Sequence, residues 1–148
     1  MDIKIICREE NYNCYKKKLE LAGFQVVDEA NLVLKETDYQ PKTLLGRMDK
    51  HYEQIPVSDI YLVESFGRDI FAYTQDGSYQ IKYKLYEIEH EYENLGFIRI
   101  NKSQIVNKNY IHKIKPLLNS RIKIVLKTKQ VLETSRIYQE HFREIIGF

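Results

Sequence analysis

Two short apolar runs, Phe97-Ile98-Arg99-Ile100 and Ile105-Val106, bracket a polar knuckle of Asn101, Lys102 and Ser103, and Asn107 closes the stretch. Apolar residues on both sides hold such a segment against a core, so the side chains between them are turned outward in a fixed orientation. Asn, Lys and Ser are side chains that hydrogen-bond phosphates and base edges. Unaided, they do no acid–base or nucleophilic chemistry. The plainer alternative is a connecting turn between two strands with no further role.

The rest of the chain weighs against that alternative. A length of 148 residues suits one domain, or a small one with an appendage. With 43% hydrophobic and 30% charged residues the chain is expected to fold around a core. No run is long or apolar enough to span a bilayer, and a cytoplasmic protein without a signal peptide is the expectation. Cys7 and Cys14 form no CxxC or Cys/His cluster and are expected as buried thiols in a reducing cytoplasm. The net charge of +2 conceals an asymmetry: residues 96–148 carry +8 and residues 1–95 carry −6. A basic third on an acidic remainder is the electrostatic footprint for a polyanion, or else for a partner surface of opposite sign.

Residues 1–38 read as a small strand-helix-strand unit. Ile3 to Cys7 is an apolar run, and Asn11 to Leu21 carries Tyr12, Tyr15, Leu19 and Ala22 at helical spacing before Gly23. Phe24–Val27 and Asn31–Lys35 follow as strands. The unit is too short for a doubly wound receiver domain. Residues 39–50 read as a linker with a short helix at Thr43 to Met48. No glycine-rich phosphate loop occurs.

From His51 onward, residues 51–148 read as short strands and turns. Glu53–Val57 and Ile60–Glu64 are separated by Ser58-Asp59, and Ser65 to Asp69 is a turn containing Gly67. Ile70–Thr74 and Tyr79–Tyr83 flank Asp76-Gly77, the strongest hairpin signal in the chain. Lys84 to Leu95 reads as a helix with Leu85, Ile88, Tyr92 and Leu95 on one face, stopped by Gly96. Ile111–Leu118 and Arg121–Leu126 pair around Asn119-Ser120, and Gln130–Glu133 is a last strand. Ser135 is placed to cap a final helix with Ile137, Tyr138, Phe142, Ile145 and Ile146 as its apolar side. The fold class is therefore mostly β with small helices (α+β).

Several of these pieces stand in an order that resembles a LytTR DNA-binding domain, the module of the LytR/AgrA class of bacterial transcription regulators. They are Asp59 to Ser65, Lys84 to Glu89, Gly96 to Asn107, and Thr134-Ser135-Arg136. The Phe-x-Arg-x-x-Lys-Ser-x-x-Val-Asn piece is the specific one, and the resemblance covers about two-thirds of the chain. It implies an elongated, mostly antiparallel β-fold of small stacked sheets. It also implies loops that enter two successive major grooves and bend the DNA, rather than a helix laid in the groove. Double-stranded DNA bearing promoter repeats is the implied partner, bound by a homodimer. The form it is most similar to is a short stand-alone regulator without a receiver, often paired with a small membrane protein inhibitor. Neither cofactor, small-molecule substrate nor enzymatic activity is implied.

On that resemblance Lys102, with Asn101 and Ser103, is the central reader and Arg136 the second, with Ser135 beside it for a phosphate. Arg68 and Asp69 occupy the third loop, where the match is poorer. Residue chemistry points the same way: Lys102 and Arg136 can donate to guanine O6 and N7. Arg99, Lys108, Lys113 and Lys115 suit phosphate contact. Arg99 has the alternative of an ion pair with an acid of the Lys84–Leu95 helix, and Asn107 that of bonding the backbone of its own turn. The four histidines lack metal-ligand spacing. A basic module that docks an acidic protein or a membrane-associated regulator is the competing function.

Overall fold

A computed structural model describes residues 1–148 and divides into two compact units, Met1–Leu44 and Leu45–Phe148. In the first, β1 (Asp2–Ile6), α1 (Glu9–Leu21), β2 (Gln25–Val26) and β3 (Leu32–Lys35) make a small parallel sheet of order β2-β1-β3. The central strand β1 thus separates the two strands that follow α1. The helix has no fully buried residue, and Tyr12, Tyr15 and Leu19 are only half-buried. A polar cluster ties its start to the end of β3: Arg8 and Asn11 both donate to the Glu36 carboxylate. These two bonds, that of Asn11 first, hold the Glu36 carboxyl below its ordinary range. Cys7 is half-buried but Cys14 is exposed, contrary to the expectation of two buried thiols.

The second correction falls on Thr43–Met48, expected as a linker helix, which forms strand β4. Leu44 and Gly46 point inward while Thr43, Leu45 and Arg47 are exposed, a period of two that Gly46 masks in the sequence. Glycine is required there by space: a Cβ at Gly46 would lie 2.2 Å from Ile55 Cδ1 and 2.8 Å from Tyr79 Cβ.

Next come β5 (His51–Pro56), a single 3-10 turn at Val57–Asp59, β6 (Leu62–Phe66), β7 (Asp69–Thr74) and β8 (Gly77–Ile81). Then α2 (Leu85–Tyr92) leads through a second 3-10 turn to Gly96, whose φ of +100° ends it. After β9 (Phe97–Asn101) and β10 (Gln104–Asn107), β4 to β10 form one seven-stranded sheet of order β5-β4-β8-β7-β6-β10-β9. A separate antiparallel sheet follows, of order β11-β12-β13, from β11 (Ile111–Pro116), β12 (Ile122–Leu126) and β13 (Val131–Glu133). The chain closes with α3 (Arg136–Ile146).

Strand register explains the opening sequence feature. Val106 pairs with both Leu62 and Ile98, and these three share one face of the large sheet. They join Ile100, Ile122, Ile124, Leu126, Leu132 and Phe142 in one buried core. Ile105 pairs with Val63 and Arg99 on the opposite face, and Phe97 there meets Tyr92 of α2 with ring centroids 6.0 Å apart. Because β9 and β10 are covered on both faces, they read as continuous apolar runs rather than as alternation.

Candidate nucleic-acid interface

The knuckle is the turn between β9 and β10, and its shape is set by two side chains at its base. Arg99 donates from Nε to the Asn101 carbonyl at 3.0 Å and from Nη2 to the Lys102 carbonyl. Its Nη1 is bonded to Glu89 of α2 at 3.2 Å, and its guanidinium lies 5.7 Å from the Tyr138 ring centroid. Arg99 is therefore directed at the turn's own backbone and at α2. Asn101 works from the other side: its Oδ1 accepts from Ser103 N–H at 2.9 Å and from Ser103 Oγ at 3.1 Å. Its Nδ2 donates to Gln104 Oε1 at 2.8 Å. Lys102 at the apex is exposed, without an ion-pair partner.

Two neighbouring segments are bonded to this turn. On one side Ser65 N–H donates to the Ser103 carbonyl at 2.9 Å, which fastens the end of β6 and the β6–β7 turn to the knuckle. Beneath them Gln104 Nε2 and the Tyr73 hydroxyl both donate to the Glu64 carboxylate. Burial first, and then this carboxylate, push the Tyr73 phenol up to about 12. The β6–β7 turn carries Gly67 at φ +60° and presents Arg68 exposed. Asp69 accepts from Gln80 Nε2 at 3.1 Å across β7 and β8.

On the other side Ser135 N–H donates to the Ile100 carbonyl at 2.8 Å, and Asn101 Nδ2 reaches the Glu133 carbonyl at 3.3 Å. The N-terminus of α3 is thereby held beside the knuckle. Ser135 sits at the N-cap with extended backbone, but its side chain makes no capping bond, contrary to expectation. Ile137 is the second difference: placed by periodicity on the apolar side, it is 84% exposed. Arg136 is also exposed, with Nε donating to the Asn119 carbonyl at 3.2 Å, so the β11–β12 turn joins the same row.

Arg68 and Lys102 therefore stand on two turns and Arg136 on the first residue of α3, the three segments linked by backbone hydrogen bonds, with the β11–β12 turn joined through the Arg136 side chain. Lys113 and Lys115 are exposed on β11, which leads into that turn. Lys115 pairs with Lys123 across β11 and β12, opposite to the buried Ile122 and Ile124. Lys108 stands apart, at the far end of β10 next to Gly96. Its six-residue separation from Lys102 corresponds to roughly 20 Å of strand. Asn107 is buried, donating to the Ile60 carbonyl at 2.9 Å and accepting from Asn109 N–H at 3.1 Å. Sequence reading missed the supporting set of Glu64, Tyr73, Gln104 and Asn119. Their partners are remote in the chain and leave no local signal. No group of three or more His, Cys, Asp or Glu side chains is placed to hold a metal. No helix is long and apolar enough to cross a membrane.

A mostly antiparallel β-scaffold thus carries the exposed cations Arg68, Lys102 and Arg136 on segments bonded to one another. Residues 50–147 match the LytTr DNA-binding domain, and the chain belongs to that family, whose members are DNA-binding proteins and not enzymes. Uncharacterized HTH-type transcriptional regulators of Staphylococcus aureus are among its relatives. That of strain NCTC 8325 / PS 47 is 36% identical over 102 residues, 69% of each chain. That of strain MRSA252 is 35% identical over the same share. A LytTr DNA-binding domain from Bacillus cereus shares the fold, with a TM-score of 0.69 and 24% identity over 73% of this chain and 99% of that one. The label HTH describes those relatives by name. In this chain α2 and α3 are separated by five strands and form no helix-turn-helix.

Proposed function

We propose that this protein is a transcription regulator that recognises a specific DNA sequence through the row of turns, by contacts in the major groove. The observation that carries this reading is the bonded alignment of Lys102 and Arg136, each exposed, the first on a turn and the second at the start of α3, both fixed by their neighbours. Base recognition needs donors held in place before binding, because ordering a loose loop on binding subtracts from affinity. Arg99 and Asn101 supply that preorganisation for Lys102, and the Asn119 carbonyl steadies the exposed Arg136 through its Nε. Lys102 and Arg136 are the base readers, with Arg68 as the third. Ser103 and Ser135 stand next to readers and are the hydroxyls nearest to a phosphate path. Lys113 and Lys115 are sequence-blind phosphate contacts. Lys108 belongs to a more distant part of the backbone path.

In this reading the acidic N-terminal unit, residues 1–38, contributes self-association, and the protein binds paired sites as a homodimer in the cytoplasm. A small membrane protein that sequesters it through the same unit is the proposed mode of control. Selection of bound sequences from a random duplex pool tests the central claim. One sequence family should emerge, and log K against log[salt] should fall linearly. Equal binding to every duplex would reduce the protein to a non-specific polyanion binder.

A further inference from the structure

We propose that Leu118 and Ile137 are base-contacting residues that meet thymine C5-methyl groups in the groove entered by Arg136. This rests on the DNA-reading assignment of the row of turns. Leu118 is 109% exposed and Ile137 84%, the highest values among the large apolar side chains of the molecule. Single exposed apolar residues are ordinary on protein surfaces, so exposure alone assigns nothing. Their common location is the informative fact. Leu118 precedes Asn119, Ile137 follows Arg136, and Arg136 Nε is bonded to the Asn119 carbonyl at 3.2 Å. Two separate elements thus carry a highly exposed apolar side chain next in sequence to the two residues joined by this bond.

Both positions are built. The turn carrying Leu118 is closed by Leu117 N–H donating to the Arg121 carbonyl at 2.8 Å, with Ser120 in the left-handed region at φ +62°. Ile137 is set by the docking of α3, which buries Phe142 completely and leaves the first turn clear of the core. The surroundings favour DNA over a second apolar protein surface, since residues 96–148 carry +8.

The chemistry completes the proposal. An arginine that spans guanine O6 and N7 leaves the neighbouring pair unread. In the major groove the group that marks thymine is its C5-methyl, and an apolar side chain is its complement. Bringing the two together removes carbon from water on both sides. Leu118 and Ile137 would therefore set the bases that flank the one read by Arg136.

The test uses the full-length protein and the duplex obtained by selection, remade with deoxyuridine in place of each thymine in turn. That exchange removes only the methyl group and keeps base pairing. Wild-type affinity should fall about three- to tenfold at one or two positions. At those positions Leu118→Ala or Ile137→Ala should bind the thymine and deoxyuridine duplexes alike. Both residues are exposed, so each variant should retain the parent's thermal transition. Identical thymine-to-deoxyuridine ratios in the parent and both variants, at every position, would overturn the inference while leaving the DNA-reading assignment intact. Loss of self-association in sedimentation, with those ratios unchanged, would also overturn it and assign the two residues to a protein contact. If no duplex is selected, the DNA-reading assignment fails and this inference fails with it.

Discussion

At the scale of single residues, cations that read bases should behave differently from cations that neutralise phosphates. Lys102→Ala and Arg136→Ala are expected to cost about 1–3 kcal/mol on the selected duplex and to relax discrimination at one or two base pairs. Lys113→Ala and Lys115→Ala should weaken selected and scrambled duplexes alike and lower the salt slope by about one each. Fluorescence anisotropy on both duplexes over a salt series separates the two patterns. Arg99 provides a sharper contrast, because its donors are spent on the Asn101 and Lys102 carbonyls and on Glu89. Arg99→Lys keeps the charge but loses the planar fork. It should lose affinity for the selected duplex while scrambled binding and the salt slope stay put. An equal loss on both duplexes would make Arg99 a phosphate contact instead.

Elements are where the braces for the turns are made. Gly46 lets β4 lie against Ile55 and Tyr79, and Gly46→Ala forces a methyl into atoms 2.2 and 2.8 Å away. A destabilisation of about 1–3 kcal/mol is expected by denaturant titration. Between β6, β7 and β10, the pairing of Tyr73 with Glu64 makes stability fall in alkali. The Tyr73 phenol titrates at about 12 in the folded chain, raised by burial and then by Glu64. Unfolded tyrosine loses its proton near pH 10. Between those two values the folded state binds more protons, so rising pH favours unfolding. Below that window the contribution is fully present. Tyr79 shifts to about 12 as well, through Glu53 and burial. Tyr73→Phe should therefore shrink, without abolishing, the stability lost between about pH 10 and about pH 12. An unchanged slope would dissociate Tyr73 from the effect.

For the whole molecule the division of charge is the leading fact: −6 over residues 1–95 against +8 over residues 96–148. Residues 1–38 hold eight acidic and six basic side chains, a net −2, so this unit adds no electrostatic attraction to DNA. Its helix α1 leaves Tyr12, Tyr15 and Leu19 half-buried and Leu21 exposed. Deleting residues 1–38 should leave a monomer that still recognises single half-sites but binds paired repeats more weakly. The cut falls before β4 (Thr43–Met48) and so spares the large sheet. Sedimentation of the full-length chain decides the premise, because a monomer at high concentration would exclude self-association through this unit.

Much of this protein was determined by local sequence. The Asp76-Gly77 hairpin, the helix ended by Gly96 and the knuckle framed by Phe97–Ile100 and Ile105-Val106 depend on near neighbours: turn dihedrals, helical period and apolar runs. Those forces act within a few residues and leave a readable pattern. Other features were settled only when distant segments met. Thr43–Met48 became a strand because β8 and β5 offered it partners, and Gly46 concealed the alternation that would have shown it. Ile137 left the apolar stripe because the docking of α3 through Phe142 chose which face to bury, and periodicity cannot choose between neighbouring faces. Arg99 was directed inward by Glu89 and by the carbonyls of its own turn, although an arginine between apolar neighbours reads equally well as a surface cation. The row of turns itself depends on bonds such as Ser65 to Ser103, Ser135 to Ile100 and Arg136 to Asn119. Sequence marked the individual cations. Their alignment came from long-range backbone pairing, in which each hydrogen bond joins groups whose separation along the chain carries no local signal.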